Sequence, residues 1–205
     1  ELGYPKSSLS GLLKSLVRTG YLGTSGPDLE YFPTLKLTRL GEWVPAALLG
    51  SAALLSTLER LRDETGETVT VTLAADLHMR CLYALTGTHP IALQVEEGVS
   101  FPMVGTAVGS MYLATQEPET VRATLSRWLK HHPGQEGEVE QAADFVAKAR
   151  AHGFVTAFDI VIPDTGAIAI AMQPAIGNEP LIVAVAGLSR RIKDRETELL
   201  AIMRR

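Results

Sequence analysis

Cysteine is nearly absent: Cys81 is the 1 cysteine in 205 residues. A lone thiol excludes an internal disulfide framework and a zinc site of several thiolates, and it suits a reducing cytoplasm. The 5 histidines are scattered, and none stands four residues from another histidine or from a thiolate, so neither metal nor cofactor is expected. Long apolar runs are missing too. The most apolar stretch, WVPAALLGSAALL from Trp43 to Leu55, carries Pro45, Gly50 and Ser51 and falls short of the ~20 residues of a bilayer span, so no membrane partner is expected. There is no glycine-rich phosphate loop, no GxSxG elbow and no triad order. Glu96 and Glu97, read as strand residues, point to opposite faces and cannot converge as acid and base. Cys81 reads as a buried structural thiol. No catalytic residue is assigned, and the chain is not expected to be an enzyme.

What is present is the composition of a folded protein, 46% hydrophobic and 20% charged. A net charge of -4 argues against wholesale nucleic-acid binding. The distribution modifies that, because residues 1–42 hold five basic side chains against four acidic ones and the acidity lies in the remainder. The length allows a small and a medium domain, with a boundary expected near Gly41 to Val44.

At the start, Leu9, Leu12, Leu13, Leu16 and Val17 fall on one stripe of an amphipathic helix. Ser7, Ser10, Gly11, Lys14, Ser15 and Arg18 take the other side. Pro5 suits the first turn and Gly20 supplies a left-handed stop. Small hydroxyls can approach base edges while Lys14 and Arg18 supply charge for phosphates, although a plain solvated face has the same phase. Next, YLGTSGPDLEYF has two apolar arms around Gly26-Pro27-Asp28, a turn chemistry that favours a β-hairpin. Helix, glycine stop, hairpin is the order of a winged helix-turn-helix.

From Val44 to about Glu64 the pattern is helical. After ETGET the period becomes two, and VTVTL, RCLYAL and IALQV read as strands. Two helical stretches follow Pro118, then the strand-like runs FVTAF, AIAIAMQPA and LIVAVAGL, then a charged helix over Lys193 to Arg205. Six strand-like runs with helices grouped between them suggest an α+β domain with a mostly antiparallel sheet flanked by helices, GAF-like in style. His131 and His132 stand at a helix end, where imidazoles can meet the last carbonyls. FPMVGTAVGSMYLA, from Phe101 to Ala114, looks built for a ligand: Gly105 and Thr106 open a helix, Thr106 is a good N-cap, and Ala107 leaves first-turn amides accessible to a carboxylate. Close packing of a helix on a sheet would use the same small residues.

YPKSSLSGLLKSLVRTGYL, LERLRDETGETVTVTL, FPMVGTAVGSMYLA, ARAHGF and GAIAIAMQPAIGNEPLIVAVAGLSRRI together resemble the successive landmarks of the IclR family of bacterial transcription regulators. The resemblance runs from Glu1 to about Ile192. It implies a partial winged helix-turn-helix over 1–42, whose first helix and the start of whose second would precede Glu1. It also implies a linker helix and GAF-like effector-binding domain over 43–205. The recognition helix would be Lys6 to Arg18, with Lys6, Ser7, Ser8, Ser10, Lys14, Ser15 and Arg18 on the DNA. Gly11 departs from the pattern, since many relatives have an arginine there.

The same resemblance places Leu93, Met103, Ala107 and Val108 on one half of an effector pocket and Asp159, Ala169, Ala186 and Leu188 on the other. Thr106 joins them from its capping position. Ala186 and Leu188 stand where some relatives that take short oxo-acids carry serines, so a more hydrophobic, aromatic or acyl acid is expected. The implied protein is a cytoplasmic homodimer or homotetramer that binds a palindromic double-stranded operator of a catabolic or metabolic operon under control of a small-molecule effector. The alternative is a GAF-like sensor, or an enzyme using Asp159 near Cys81, whose N-terminal module no longer binds DNA.

Overall fold

A computed structural model of the chain describes residues 6–25, 30–36, 52–172 and 179–205. The chain divides into two compact units, Glu1–Gly50 and Ser51–Arg205. The boundary expected near 41–44, the Gly26-Pro27-Asp28 turn, Pro5 and the first part of the helix expected from Val44 lie outside the described residues.

In the first unit, helix α1 (Lys6–Arg18) is followed by strands β1 (Leu22–Ser25) and β2 (Glu30–Pro33), which pair antiparallel with Leu22 opposite Pro33 and Ser25 opposite Glu30. Gly20, at φ +78°, ends the helix: its amide donates to the Val17 carbonyl and that of Tyr21 to the Leu16 carbonyl. These two bonds satisfy carbonyls that the helix end would otherwise leave bare. Lys36 Nζ adds a third bond to the Thr19 carbonyl at 2.7 Å. Along the leucine stripe Leu13, Leu16 and Val17 are half-buried, whereas Leu9 and Leu12 are exposed.

The second unit contains α2 (Ala52–Thr65), β3 (Thr68–Ala75), β4 (His78–Leu85), β5 (Ser100–Pro102), α3 (Ala107–Thr115), α4 (Pro118–His131), α5 (Glu136–His152), β6 (Val155–Phe158), β7 (Thr165–Met172), β8 (Leu181–Leu188) and α6 (Ser189–Met203). Its six strands form one sheet in the order β5-β4-β3-β8-β7-β6, with every described pairing antiparallel. The run IALQV, expected as a strand, is irregular backbone, and the edge strand is Ser100–Pro102 instead. The opposite-faces argument for Glu96 and Glu97 loses its premise with it. Five consecutive residues rich in Ile, Leu and Val carry strand composition, but here side chains from elsewhere hold their carbonyls: Thr68 Oγ1 donates to Leu93 O at 2.5 Å and Arg191 Nη2 to Ile91 O at 3.0 Å.

The sheet separates two layers, and the alternation of its strands decides which residue enters which. In β7, Ile168 faces the same side as its partner Val185 in β8, and Val185 in turn pairs with Val69 in β3. That branched face packs on Leu58 and Leu61 of α2 and on Ile192 and Leu199 of α6, all buried. Each such side chain contributes about 1.5–3 kcal/mol on burial. The opposite face carries alanines and threonines and is covered by α3, α4 and α5 through Val108, Met111, Leu125, Trp128, Ala142 and Val146. At the end of α4, His131 Nδ1 lies 2.8 Å from the Arg127 carbonyl and His132 Nδ1 3.1 Å from that of Trp128, the helix-end role expected of that pair.

Glu67, at the start of β3, is completely buried. Arg191 of α6 grips it with two bonds of 2.7 Å, which hold the guanidinium above its ordinary pKa range. One turn further on, Arg195 Nη1 donates to the Thr65 carbonyl at the end of α2.

Cys81 on β4 is buried, and burial pushes its thiol up from 9.0 to about 11. A thiol held protonated in the folded state but free to ionise in the unfolded chain binds more protons when folded. Its contribution to stability is therefore complete below pH 9 and lost as pH rises through about 11. Iodoacetamide at about pH 8 is expected to leave the native thiol intact and to label it as the chain unfolds in urea. Rapid labelling of the native protein would contradict this placement.

Candidate functional site

On the α3 side of the sheet, close packing stops partway along the strands. Ala169 and Ala184, which pair with each other, belong to the core beneath α3. In the next row on that face, Ala157, Ala167 and Ala186 line a cavity of about 540 Å³. Alanine is the reason the space exists, because an isoleucine or valine at these strand positions would fill it. The volume falls within the roughly 300–1,000 Å³ of small-molecule sites.

Segment 93–101 supplies one wall, with Leu93, Val95, Val99 and Phe101 turned to the cavity. Ile160, Val161 and Ile162, from the loop joining β6 to β7, supply another and remain 38%, 50% and 46% exposed. Three adjacent exposed aliphatic residues make an apolar rim that a ligand would cover. Gln94, Glu96 and Ser100 also line the cavity, from exposed positions.

The first turn of α3 faces the same space through Thr106, Ala107 and Val108. Gly105 turns the chain at φ +83°, and Thr106 caps the helix: its hydroxyl donates to the Pro102 carbonyl at 2.7 Å and accepts from Gly109 N at 3.1 Å. Gly109 is required here, since a Cβ would strike the Met103 carbonyl. The Ala107 and Val108 amides have no acceptor among the described residues. Two free donors at the positive end of a helix dipole favour an anion. The site can therefore hold an apolar body against alanine and aliphatic walls with a carboxylate at the helix end.

Of the residues expected at the pocket, Leu93, Thr106, Ala107, Val108 and Ala186 line this cavity. Met103 and Ala169 belong to the packed core beside it. Asp159 and Leu188 border a separate shallow depression with Ser189 and Lys193, where the Ser189 hydroxyl donates to Asp159 at 3.1 Å. Asp159 sits at φ +60° just after β6, and that left-handed step carries it out of the strand's alternation. Thr70, Ala157, Ala167, Ala184, Phe101 and Ile160 to Ile162 were not anticipated. The alternation of alanine with branched residues in AIAIA and LIVAVAGL could have disclosed Ala167 and Ala184. The loop residues carry no comparable signal.

The acid and thiol imagined as an enzymatic pair are far apart. Cys81 is on β4 and Asp159 follows β6, four strand spacings away across the sheet, or roughly 20 Å. Among the described residues no group of three histidine, cysteine or acidic side chains is placed to hold a metal ion, and no helix is long and apolar enough to cross a membrane.

In the first unit, Ser8, Ser10, Gly11, Lys14 and Arg18 are exposed on α1, and Ser15 is half-buried. The Lys6 and Ser7 side chains lie outside the described residues. A Cβ at Gly11 would meet nothing within 4 Å, so the helix surface is open there.

A six-stranded antiparallel sheet between two helical layers, with an apolar cavity closed at one end by a helix N-terminus, defines an α+β module with a cavity of small-molecule size. The profile of the family described as bacterial transcriptional regulator IclR, C-terminal, matches residues 51–205, so the chain belongs to the IclR family of bacterial transcriptional regulators. Among solved structures, an IclR-family transcriptional regulator from Brucella abortus superposes with a TM-score of 0.75 at 19% identity over 98% of this chain and 76% of its own. An Alicyclobacillus acidocaldarius regulator gives 0.62 at 19% over 98% and 85%. The effector domain of a protein named as an IclR regulator from Acinetobacter sp. ADP1 gives 0.67 at 23% over 77% and 92%. At these identities the likeness speaks for the fold. No curated protein matches the chain.

Proposed function

We propose that the chain is an effector-responsive, DNA-binding regulator whose cavity senses a hydrophobic, aromatic or acyl carboxylic acid. The observation that carries the sensing half is the 540 Å³ cavity with its alanine floor, aliphatic rim and two free helix amides. A short oxo-acid would leave most of that apolar wall in contact with water. An aromatic or acyl acid covers it and keeps its charge at α3.

For the DNA-binding half, α1 acts as recognition helix and the β1–β2 hairpin as wing, with Ser8, Ser10, Lys14 and Arg18 exposed on the helix and Ser15 half-buried; Lys6 and Ser7, at its start, complete the proposed DNA contacts. A symmetric homodimer, or a homotetramer of two such pairs, would read a palindromic operator with two helices one turn of duplex apart. The effector alters DNA affinity through its preference for one quaternary arrangement. The setting is the cytoplasm and the target a catabolic or metabolic operon.

Lys14→Ala is expected to weaken binding to all DNA sequences alike and to reduce the salt slope by about one phosphate contact. Gly11→Arg, which enters open space, should have the opposite effect on both. Fluorescence anisotropy against fragments of the chain's own upstream region, at several salt concentrations, measures each. Unchanged slopes in both variants would take α1 off the DNA.

A further inference from the structure

Three threonines of β3 share the face that becomes the cavity floor, and two of them use their hydroxyls within the protein. Thr68 donates to the Leu93 carbonyl at 2.5 Å and accepts from Gly87 N at 3.0 Å, and Thr72 donates to the Ile182 carbonyl at 3.4 Å. Thr70 stands between them, is 4% exposed, and its hydroxyl has no hydrogen-bond partner among the described residues. Its neighbours across the sheet are Ala84 and Ala184, which offer none. Valine, of the same shape, would fill the position without a hydroxyl. A hydroxyl in its place faces the cavity and, unlike a methyl group, can donate to what the cavity holds.

The position of Thr70 says what that partner is. Its row, with Ala184 and Ala169, is where the core under α3 gives way to the cavity. Ala107 and Val108, whose amides are free, belong to both the core and the cavity wall. The sheet's unused hydroxyl and the helix's unused amides thus meet at the same boundary of the same space. Of the other threonine hydroxyls lining the cavity, that of Thr106 is spent on Pro102 and Gly109 and that of Thr165 on the Ile162 carbonyl, while the buried, unpartnered hydroxyl of Ser110 does not line it.

Resting on the acid-sensing reading above, we propose that Thr70 is a specificity residue of the cavity: its hydroxyl donates from the sheet to the ligand's carboxylate while the first turn of α3 holds that group from the other side. The site then selects a carboxylate over a neutral group of the same shape, because an amide presents one acceptor oxygen and sets its NH2 against remaining donors. The remaining walls, alanine and aliphatic, take the apolar body.

Phenylacetate and its neutral isostere phenylacetamide, titrated calorimetrically into the full chain, test this. The wild-type protein should bind the acid at least tenfold more tightly than the amide. Thr70→Val should lower acid affinity about tenfold while leaving amide affinity within twofold, and Thr70→Ser, which restores the hydroxyl, should recover the acid. A Thr70→Val protein that binds the acid as the wild type does would overturn the role of Thr70 and leave the acid-sensing reading standing. A wild-type protein that binds neither compound would overturn both. Should Thr70→Val not fold, Thr70→Ser against Thr70→Ala gives the same comparison, with equal acid affinities as the contradicting result.

Discussion

Arg191→Leu is expected to destabilise the chain by about 3–5 kcal/mol, because it leaves the Glu67 carboxylate buried without its partner. Glu67 has nowhere to go. It fills the space over Gly187, where a Cβ would strike its Oε2, and the His89 imidazole, with Nε2 at 3.6 Å from Oε1, makes no hydrogen bond to it. Replacing both partners, as Glu67→Met with Arg191→Leu, should recover most of the loss, since a buried ion pair stabilises little relative to apolar groups of similar volume. Urea midpoints for the two single variants and the double variant measure the cycle. A single-variant cost below about 1 kcal/mol would place the pair among solvent-screened surface contacts.

The same substitution reaches the cavity, because Arg191 also holds the Ile91 carbonyl in the segment that brings Leu93 and Val95 to the wall. Hydrogen exchange in residues 86–99 should therefore rise beyond what the global stability loss explains.

Ala186→Phe should abolish acid binding, by about 100-fold or more, at a cost to stability under roughly 2 kcal/mol, because the new ring enters space that is already there. The control is Ala169→Phe on the same face of the sheet. Ala169 is fully buried beneath α3, so its ring has no space and overpacking should unfold or severely weaken the domain. Calorimetry with phenylacetate and thermal melts of both variants distinguish a filled cavity from a broken core. Equal loss of stability in the two would mean that Ala186 is packed like Ala169.

This contrast also marks how far the sequence could be read. The alternation in AIAIA assigns alanines to one face and isoleucines to the other, and Thr106 after Gly105 announces a helix cap, so the sheet face and the cavity's polar end were legible. Nothing local distinguishes Ala169 from Ala167, since which of them is covered depends on where α3 crosses the sheet. IALQV was misread because strand composition says nothing of the Thr68 and Arg191 side chains that take its carbonyls. Glu67 was invisible for a related reason: its partner lies 124 residues away. Asp159 followed the family pattern to the right loop, but a left-handed backbone step turned it outward.

On the proposed function, occupancy of the alanine-floored cavity governs affinity for DNA. Anisotropy titrations of the full chain against its own upstream region, with and without saturating phenylacetate, test it in the wild type and in Ala186→Phe. An acid-dependent change in DNA affinity of about fivefold or more is expected in the wild type and none in the variant. DNA binding that is indifferent to an acid shown by calorimetry to fill the wild-type cavity would contradict it.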